Sequence, residues 1–208
     1  MIRLVLASSS PARLQVLRAA GIDPEIVLPQ VDEEALTQKA IEENPDLLAS
    51  ELVQLLAKAK ASSIQQEPST FGKLILGGDS ALEFEGKILG KPHDPAVAKQ
   101  RWLAMNGKFG VLHSGHHLID NRDPKNPKEI GRSSATGVYF STLTSEEIDD
   151  YVATKEPLKV AGAFTIDGLG GAFIDKIEGD FHTVVGLSLR VLREMSRELG
   201  IHYPSLWR

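Results

Sequence analysis

The chain has 208 residues, of which 42% are hydrophobic and 25% charged, and we predict one globular domain over residues 1–208. It contains no cysteine, which excludes disulfides, thiol nucleophiles and thiolate zinc sites and fits a cytoplasmic location. Its net charge of -5 argues against binding to a nucleic-acid polymer, which needs a basic surface. Since no stretch approaches the roughly 20 apolar residues of a membrane helix, we expect no membrane partner either.

The first segments alternate between strand and helix patterns. Residues 2–7 are apolar and predict a buried strand, and residues 12–20 predict a helix that ends at Gly21. A second short apolar run surrounds Ile26. This alternation of strand and helix is typical of an α/β protein.

A clear amphipathic pattern covers residues 47–61 and predicts a helix. Its apolar stripe consists of Leu48, Leu52, Leu55, Leu56 and Ala59. Residues 73–76 then predict another buried strand. We expect this strand to end at a turn formed by the sequence GGDS of residues 77–80.

The rest of the chain adds longer strands. The next predicted elements are a hairpin of residues 82–84 and 87–89, a helix at 96–105, and a strand pair at 111–119 and 132–140 with a polar loop at 121–129. They are followed by a helix at 145–153, a strand at 172–177 and a closing helix at 187–199. Thr144 and Glu147 predict a capping box at the start of the helix at 145–153. Together, the segments favour an α/β fold with a mixed sheet over a fully parallel one.

The first candidate site is the turn LASSSPARL of residues 6–14. Ser10 is a good N-cap, and Pro11 suits the first position of a helix. The free backbone N–H groups of a helix start, together with the hydroxyl of Ser8 and the guanidinium of Arg13, can bind an anion. The alternative is a well-capped helix that binds nothing.

Asp79 is the second candidate, because it directly follows a predicted buried strand. Ligand crevices of α/β sheets form at the carboxyl ends of strands. A carboxylate there can hold Mg²⁺ or take a proton from water, and the neighbouring glycines let a phosphate approach. The alternative is a turn aspartate that binds its own backbone.

Two lysines and two further carboxylates can contribute to such a site. Lys60 flanks the apolar stripe of its helix, so its stem can follow the core while its ammonium faces a crevice or the solvent. Lys91 lies on a stiff Gly-Lys-Pro turn. Asp32 and Glu33 fall in a predicted loop, where they either share a hard cation or are solvated.

Three histidines, His113, His116 and His117, lie close together in the sequence. On a strand, His113 and His117 point to one face and His116 to the other, which separates them. We therefore expect no zinc site at these residues. The sequence also lacks a P-loop motif and a hydrolase nucleophile elbow.

Several motifs, spread over nearly the whole chain, form a specific set. They are LASSSPAR (6–13), VDE (31–33), LAKAKA (56–61), GGDS (77–80), ILGKP (88–92), LTSEEIDDYVATKEPLKVAGAFTIDG (143–168) and IEGDFHTVVGLSL (177–189). In this order they resemble the Maf family of nucleotide pyrophosphatases. The resemblance implies hydrolysis of normal or modified nucleoside triphosphates to monophosphate and pyrophosphate.

The resemblance also implies a fold and a set of roles. The fold is an elongated mixed sheet flanked by helices, with two lobes, a central cleft and often a homodimeric assembly. Asp79 corresponds to the catalytic base, and Glu33 and Asp79 to the ligands of a divalent cation, Mg²⁺ or Mn²⁺. The positions that contact phosphates are Ser8, Arg13, Lys60 and Lys91.

Three residues depart from the commoner family pattern, and they bear on base specificity. Ala12 stands where an arginine is usual, Ser80 where a threonine is usual, and Asp167 where a glutamine is common. An ionised Asp167 offers only acceptors, which match the two adjacent donors of a guanine edge. We therefore expect a guanine-type or modified base if Asp167 faces the base, and a simple loop cap if it does not.

Two other functions fit the same residues. One is a nucleotide-binding regulator of cell division without turnover, against which the presence of Asp79, Glu33 and Lys60 argues. The other is a purine-specific pyrophosphatase of similar shape, against which the wording of the SPAR and GGDS motifs argues.

Overall fold

The computed structural model describes residues 2–208 and has a seven-stranded sheet flanked by helices. The strands are β1 (Leu4–Ala7), β2 (Glu25–Ile26), β3 (Lys73–Phe84), β4 (Lys87–Leu89), β5 (Phe109–Asn121), β6 (Lys128–Phe140) and β7 (Ile174–Glu178). The α-helices are α1 (Pro11–Ala19), α2 (Glu33–Glu43), α3 (Ala49–Ser63), α4 (Pro95–Met105), α5 (Ser145–Ala153), α6 (Phe181–Val185) and α7 (Leu189–Glu198).

The sheet is mixed, as predicted. Its strand order is β2-β1-β3-β5-β6-β7, and β4 also pairs with β3. β1 is parallel to both β2 and β3, whereas β4 is antiparallel to β3 and β7 is antiparallel to β6. The parallel pairs need helical crossovers, which α1 supplies between β1 and β2, and α2 and α3 supply between β2 and β3.

The chain divides into two compact units. Unit 1 consists of the residues up to Asp79, together with Ser114–Ser134 and Gly186–Arg208. Unit 2 consists of Ser80–His113 and Ala135–Val185. Three strands, β3, β5 and β6, therefore contribute residues to both units.

Each unit has its own buried apolar cluster. In unit 1 the cluster comprises Val5, Ala7, Ala61, Ile64, Ile75 and Ile119. In unit 2 it surrounds Trp102 of α4, whose ring makes edge contacts with Phe140, Tyr151 and Phe173 at centroid distances of 5.7, 5.3 and 6.0 Å. The indole Nε1 of Trp102 donates to the Ala163 carbonyl at 2.7 Å, so its one polar atom is satisfied in the core.

The expected turn at residues 77–80 is wrong, because β3 continues through it to Phe84. The reason is that both glycines allow residues of other elements to pack closely against the strand. A Cβ on Gly77 would lie 2.1 Å from the Ala57 carbonyl oxygen of α3, and one on Gly78 would lie 3.1 Å from Nε of Arg13. The glycines therefore bring a helix backbone and a guanidinium against the strand without ending it.

The expected loop at Asp32 and Glu33 is also wrong. Asp32 is the N-cap of α2, where its side chain accepts from the Ala35 N–H at 2.9 Å, and Glu33 is the first helical residue. α2 has no buried residue, so it lacks the apolar stripe by which helices are recognised. Its sequence signal is the N-cap aspartate followed by acidic residues in the first turn.

The predicted helix at 47–61 is confirmed as α3, but its buried stripe differs. The buried positions are Ala49, Leu52, Val53, Leu56, Ala57, Lys60 and Ala61. Leu48 is the N-cap and is 62% exposed, whereas Leu55 and Ala59 are half-buried. Lys60 thus lies within the stripe and does not merely flank it.

The elements with clear local chemistry are confirmed. The hairpin pairs Leu82 with Leu89 and Phe84 with Lys87 around a two-residue turn. Helix α5 begins at the predicted capping box, in which the Glu147 N–H donates to the Thr144 hydroxyl at 3.2 Å. The long strand pair is observed as β5 and β6, each longer than predicted, and the closing helix is preceded by the short α6.

Candidate functional site

The first part of the site is the start of α1, in unit 1. Ser10 caps the helix, its side chain accepting from the Arg13 N–H at 3.4 Å, and Pro11 is the first helical residue, as predicted. The hydroxyl of Ser8 accepts from the Ser10 N–H at 3.2 Å and from Nη1 of Arg13 at 3.1 Å. Ser8 therefore ties the helix start to the guanidinium beside it.

Arg13 is buried, at 8% exposure, and held by a backbone group that residue types could not reveal. Its Nε donates to the carbonyl of Gly186 at 2.8 Å. Burial lowers the pKa of Arg13 from its usual value, while the charges of Asp79 and Glu33 raise it. The guanidinium packs against β3 at the residue before Asp79, where a Cβ on Gly78 would lie 3.1 Å from its Nε.

Lys60 joins these carboxylates. Its ammonium lies 2.7 Å from Oδ1 of Asp79 and 2.8 Å from Oε2 of Glu33, and its side chain is only 6% exposed. α3 supplies the lysine, β3 the aspartate and the first turn of α2 the glutamate. Since a buried ammonium needs partners for its charge, this triad fixes three elements of unit 1 relative to each other.

Asp79 lies at the carboxyl end of the parallel strands, although not in a turn. The parallel pairing of β1 with β3 ends at Ala7 and Gly77, and Asp79 follows two residues later in β3. The predicted position at a strand end is therefore right for the parallel pair. The structure brings Asp79 together with four other predicted residues, which are Ser8, Arg13, Glu33 and Lys60.

Glu33 and Asp79 fit a divalent cation. Their carboxylate oxygens already converge on one positive charge, the ammonium of Lys60. Oxygen donors of this kind suit Mg²⁺ and Mn²⁺, and Mg²⁺ is often bound by one or two carboxylates plus substrate phosphates. Within residues 2–208 no group of three or more acidic or histidine side chains could hold a metal ion by itself.

The remaining predicted residues are distributed differently. Ala12 is half-buried in the first turn of α1, in unit 1. Ser80, Lys91 and Asp167 belong to unit 2. Lys91 is exposed, and the segment around it is held where the Gly162 N–H donates to the Gly90 carbonyl at 3.1 Å.

Asp167 is exposed in a loop that Glu156 holds in place. Oδ1 of Asp167 accepts from the hydroxyl of Thr165. The Glu156 carboxylate accepts from the N–H groups of Leu169 and Gly170 at 3.0 and 2.9 Å, and from the buried Tyr151 hydroxyl at 2.9 Å. Burial, followed by the hydrogen bond to Glu156, raises the pKa of Tyr151. Glu156 is a loop-ordering residue that the sequence did not reveal.

The three histidines have separate partners. Nε2 of His113 lies 2.9 Å from Glu83, and Nε2 of His117 lies 3.1 Å from Glu129. Nε2 of His116 accepts from the backbone N–H of Ser188 at 2.8 Å. Each ring nitrogen in these contacts thus faces a different neighbour.

Comparison with known families follows this geometry. The sequence model described as "Maf-like protein" matches residues 3–199. The chain belongs to the Maf family. A protein from Leifsonia xyli subsp. xyli, named "Nucleoside triphosphate pyrophosphatase", is 49% identical over 99% of this chain and 96% of its own length. A protein of the same name from Salinispora tropica is 47% identical over 99% of this chain and 88% of its own length.

Among solved structures, the chain is similar to "Nucleoside-triphosphatase / dITP/XTP pyrophosphatase" from Mycobacterium abscessus. The identity is 15% and the TM-score 0.37, over 95% of this chain and 94% of that chain. With a TM-score and an identity this low, the similarity supports no inference about this chain. No helix within residues 2–208 combines the length and the apolar character needed to span a membrane.

The contacts of the buried Lys60 predict a large stability difference between two lysines of α3. Lys60→Met should lower the free energy of unfolding by about 3 kcal/mol, because it leaves Asp79 and Glu33 without their shared cation. Lys58→Met is the matched control: Lys58 pairs with Glu129 at 2.6 Å, but its side chain is 53% exposed. That surface pair should contribute at most about 1 kcal/mol. Urea unfolding measures both, and equal losses would contradict a buried, strongly coupled Lys60.

Proposed function

We propose that this Maf protein is a nucleoside triphosphate pyrophosphatase. It hydrolyses the bond between the α- and β-phosphates of normal or modified nucleoside triphosphates and releases monophosphate and pyrophosphate. Family membership and the name shared by the two relatives support this proposal. The observation that carries it is the contact of the buried Lys60 ammonium with Asp79 and Glu33, with Arg13 packed against Gly78, the residue before Asp79.

The proposed roles follow from the contacts in unit 1. Asp79 accepts the proton of the attacking water, for which a partly buried carboxylate at a strand end is suited. Arg13 binds phosphate oxygens through its guanidinium. An ammonium has three N–H donors, and Lys60 uses two on the carboxylates within the described residues, which leaves one for a phosphate. The resemblance adds Lys91, a residue of unit 2, as a further phosphate ligand.

Charge balance supports a metal cofactor. Arg13 and Lys60 carry two positive charges, and Asp79 and Glu33 carry two negative charges, so these four side chains sum to zero. A triphosphate therefore brings uncompensated negative charge into the site. Glu33 and Asp79 would hold Mg²⁺ or Mn²⁺, which would neutralise charge on the departing pyrophosphate.

The alternative of a non-catalytic regulator of cell division is not favoured. The relatives bear an enzyme name, and the proposed base Asp79 is present and in contact with Lys60. The match over residues 3–199 also favours the Maf family over another pyrophosphatase of similar shape. A homodimer, a cytoplasmic location and a cleft that holds the nucleotide stay predictions of the resemblance.

The products test the proposed bond position. We expect a panel of normal and modified nucleoside triphosphates to give monophosphate and pyrophosphate, identified by ³¹P NMR. EDTA should abolish turnover, and excess Mg²⁺ or Mn²⁺ should restore it, because without a metal the four charged side chains leave no net positive charge to offset the triphosphate. Release of diphosphate and orthophosphate would exclude this mechanism, and full activity in EDTA would exclude the metal.

Asp79→Asn tests the proposed base. We expect kcat to fall by about 10²-fold or more, because general-base catalysis typically supplies about 10²–10⁴-fold. Folding should change little, since an amide oxygen can still accept from Lys60 and Glu33 keeps its charge. Asp149→Asn is the control, because Asp149 is a half-exposed surface partner of Lys99. Near-normal kcat in Asp79→Asn, with the circular dichroism spectrum unchanged, would remove Asp79 from the chemistry.

The base preference rests on Asp167. If its carboxylate faces the base, its acceptors match the adjacent N1–H and amino group of guanine, whereas uracil and thymine present a mixed edge. The contact with Thr165 supports the other expectation, in which Asp167 orders its own loop. We propose a preference for guanine-type bases as the hypothesis to be tested.

The test is the ratio of kcat/KM for GTP to that for UTP in wild type and in Asp167→Gln. A lost polar pairing at a buried base should cost roughly 1–3 kcal/mol, so a true contact shifts the ratio by about tenfold or more. Thr165→Val is the control, since it removes the loop contact but keeps the Asp167 charge. If both variants lose stability and leave the ratio unchanged, Asp167 is a loop residue only.

A further inference from the structure

His116 is a buried polar residue that the proposed mechanism does not use. It lies in β5, in unit 1, with 0% exposure. Its Nε2 accepts from the Ser188 N–H at 2.8 Å, and its Nδ1 lies 3.4 Å from the carbonyl of Arg132. Because a backbone amide only donates, Nε2 must be unprotonated and the proton must be on Nδ1. The two contacts together assign the neutral Nδ1–H tautomer.

The partner of His116 belongs to a short buried segment, Gly186–Leu187–Ser188. Leu187 is 1% exposed and Ser188 0%. Gly186 has a φ of 112°, a backbone conformation that L side chains rarely adopt. Ser188 is the N-cap of α7, and its hydroxyl accepts from the Val191 N–H at 3.2 Å. Ser188 therefore fixes the segment through two contacts: its hydroxyl caps α7, and its N–H donates to the ring of His116.

The same segment holds the candidate phosphate ligand. The carbonyl of Gly186 accepts from Nε of Arg13 at 2.8 Å, and Nη1 of Arg13 donates to Ser8 at 3.1 Å. Contacts on two different nitrogens limit rotation of the planar guanidinium. The Gly186 carbonyl is thus one of the groups that orient Arg13.

An apolar residue at position 116 could fill the same volume but could not accept from Ser188. The buried N–H would then lack its partner, and the segment would have to move to satisfy it. The neighbouring His117 offers a contrast, because its Nε2 contacts the half-exposed carboxylate of Glu129. The contact of His116 is with backbone two residues from the carbonyl that binds Arg13.

We propose that His116 is a positioning residue for Arg13. Through Nε2 it fixes the segment Gly186–Ser188, whose Gly186 carbonyl orients the Arg13 guanidinium toward the triphosphate. The proposal rests on the proposed function, in which Arg13 binds phosphates. It adds an acceptor contributed by β5 to a site otherwise formed by α1, α2, α3 and β3.

A double-mutant cycle tests this coupling. His116→Leu should lower kcat/KM for a nucleoside triphosphate by about tenfold, mainly through KM, because a misoriented arginine loses a charge-assisted hydrogen bond. In an Arg13→Ala background the same change should have less than about a twofold effect, because the residue being positioned is absent. His117→Leu is the matched control, and its effect should be equal in both backgrounds.

A conservative variant and a binding measurement complete the experiment. His116→Gln can present an amide oxygen to the Ser188 N–H and should recover most of the lost kcat/KM. If His116→Leu does not fold, as judged by urea unfolding, His116→Asn replaces it, because its shorter amide does not reach Ser188. Binding of inorganic tripolyphosphate, measured by calorimetry, provides a second cycle that needs no turnover.

The outcomes separate the two proposals. If the wild type hydrolyses no nucleoside triphosphate, the proposed function fails, whereas coupling in tripolyphosphate binding would still support the role of His116. If the wild type is active but the effects of His116→Leu and Arg13→Ala are additive in both measurements, the positioning role is overturned. It is also overturned if His116→Gln is as impaired as His116→Leu.

Discussion

The shared contact of the Lys60 ammonium with Asp79 and Glu33 is the interaction on which the rest of the site depends. A buried ammonium is costly unless charged partners replace its lost hydration. Two carboxylates close to each other would repel without a cation between them. Lysine and carboxylates therefore require each other, and their contact fixes α3, β3 and the start of α2 in one arrangement.

This contact in turn depends on how closely α3 approaches β3. Gly77 has no side chain, and its backbone packs against the carbonyl of Ala57, where a Cβ would lie 2.1 Å from the oxygen. Lys60 follows Ala57 by three residues and so lies on the same face of α3, one turn further along. A larger residue at position 77 would push the helix outward and lengthen the path from Lys60 to Asp79.

The sequence was sufficient wherever the structure depends on local chemistry. Three predicted features involve residues only a few positions apart. They are the N-cap at Ser10, the capping box at Thr144 and the hairpin whose two-residue turn follows Phe84. The prediction of a turn at residues 77–80 was wrong because Gly77 packs against α3, a helix that precedes it by more than a turn's length in the sequence. α2 was missed because a helix without a buried face leaves no periodic pattern.

The site shows the same division between local and distant causes. The resemblance selected the residues of unit 1 that the structure brings together. Spacing along the chain could not show their contacts, because Ser8 directly follows β1 whereas Asp79 lies in β3. The carbonyl of Gly186 and the ring of His116 were missed for a different reason. The Gly186 carbonyl is a backbone group, for which residue type is no guide, and His116 was considered only as a zinc ligand.

An acidic protein that binds a polyanion must arrange its charges locally. The chain carries a net charge of -5, so long-range attraction does not favour a triphosphate. The charges of the four candidate site residues in unit 1 sum to zero, and two of these residues, Arg13 and Lys60, are at most 8% exposed. At such low exposure, solvent screening is weak and each N–H group acts at short range. Recognition then depends on where those N–H groups point, which makes the orientation of Arg13 and Lys60 as important as their charge.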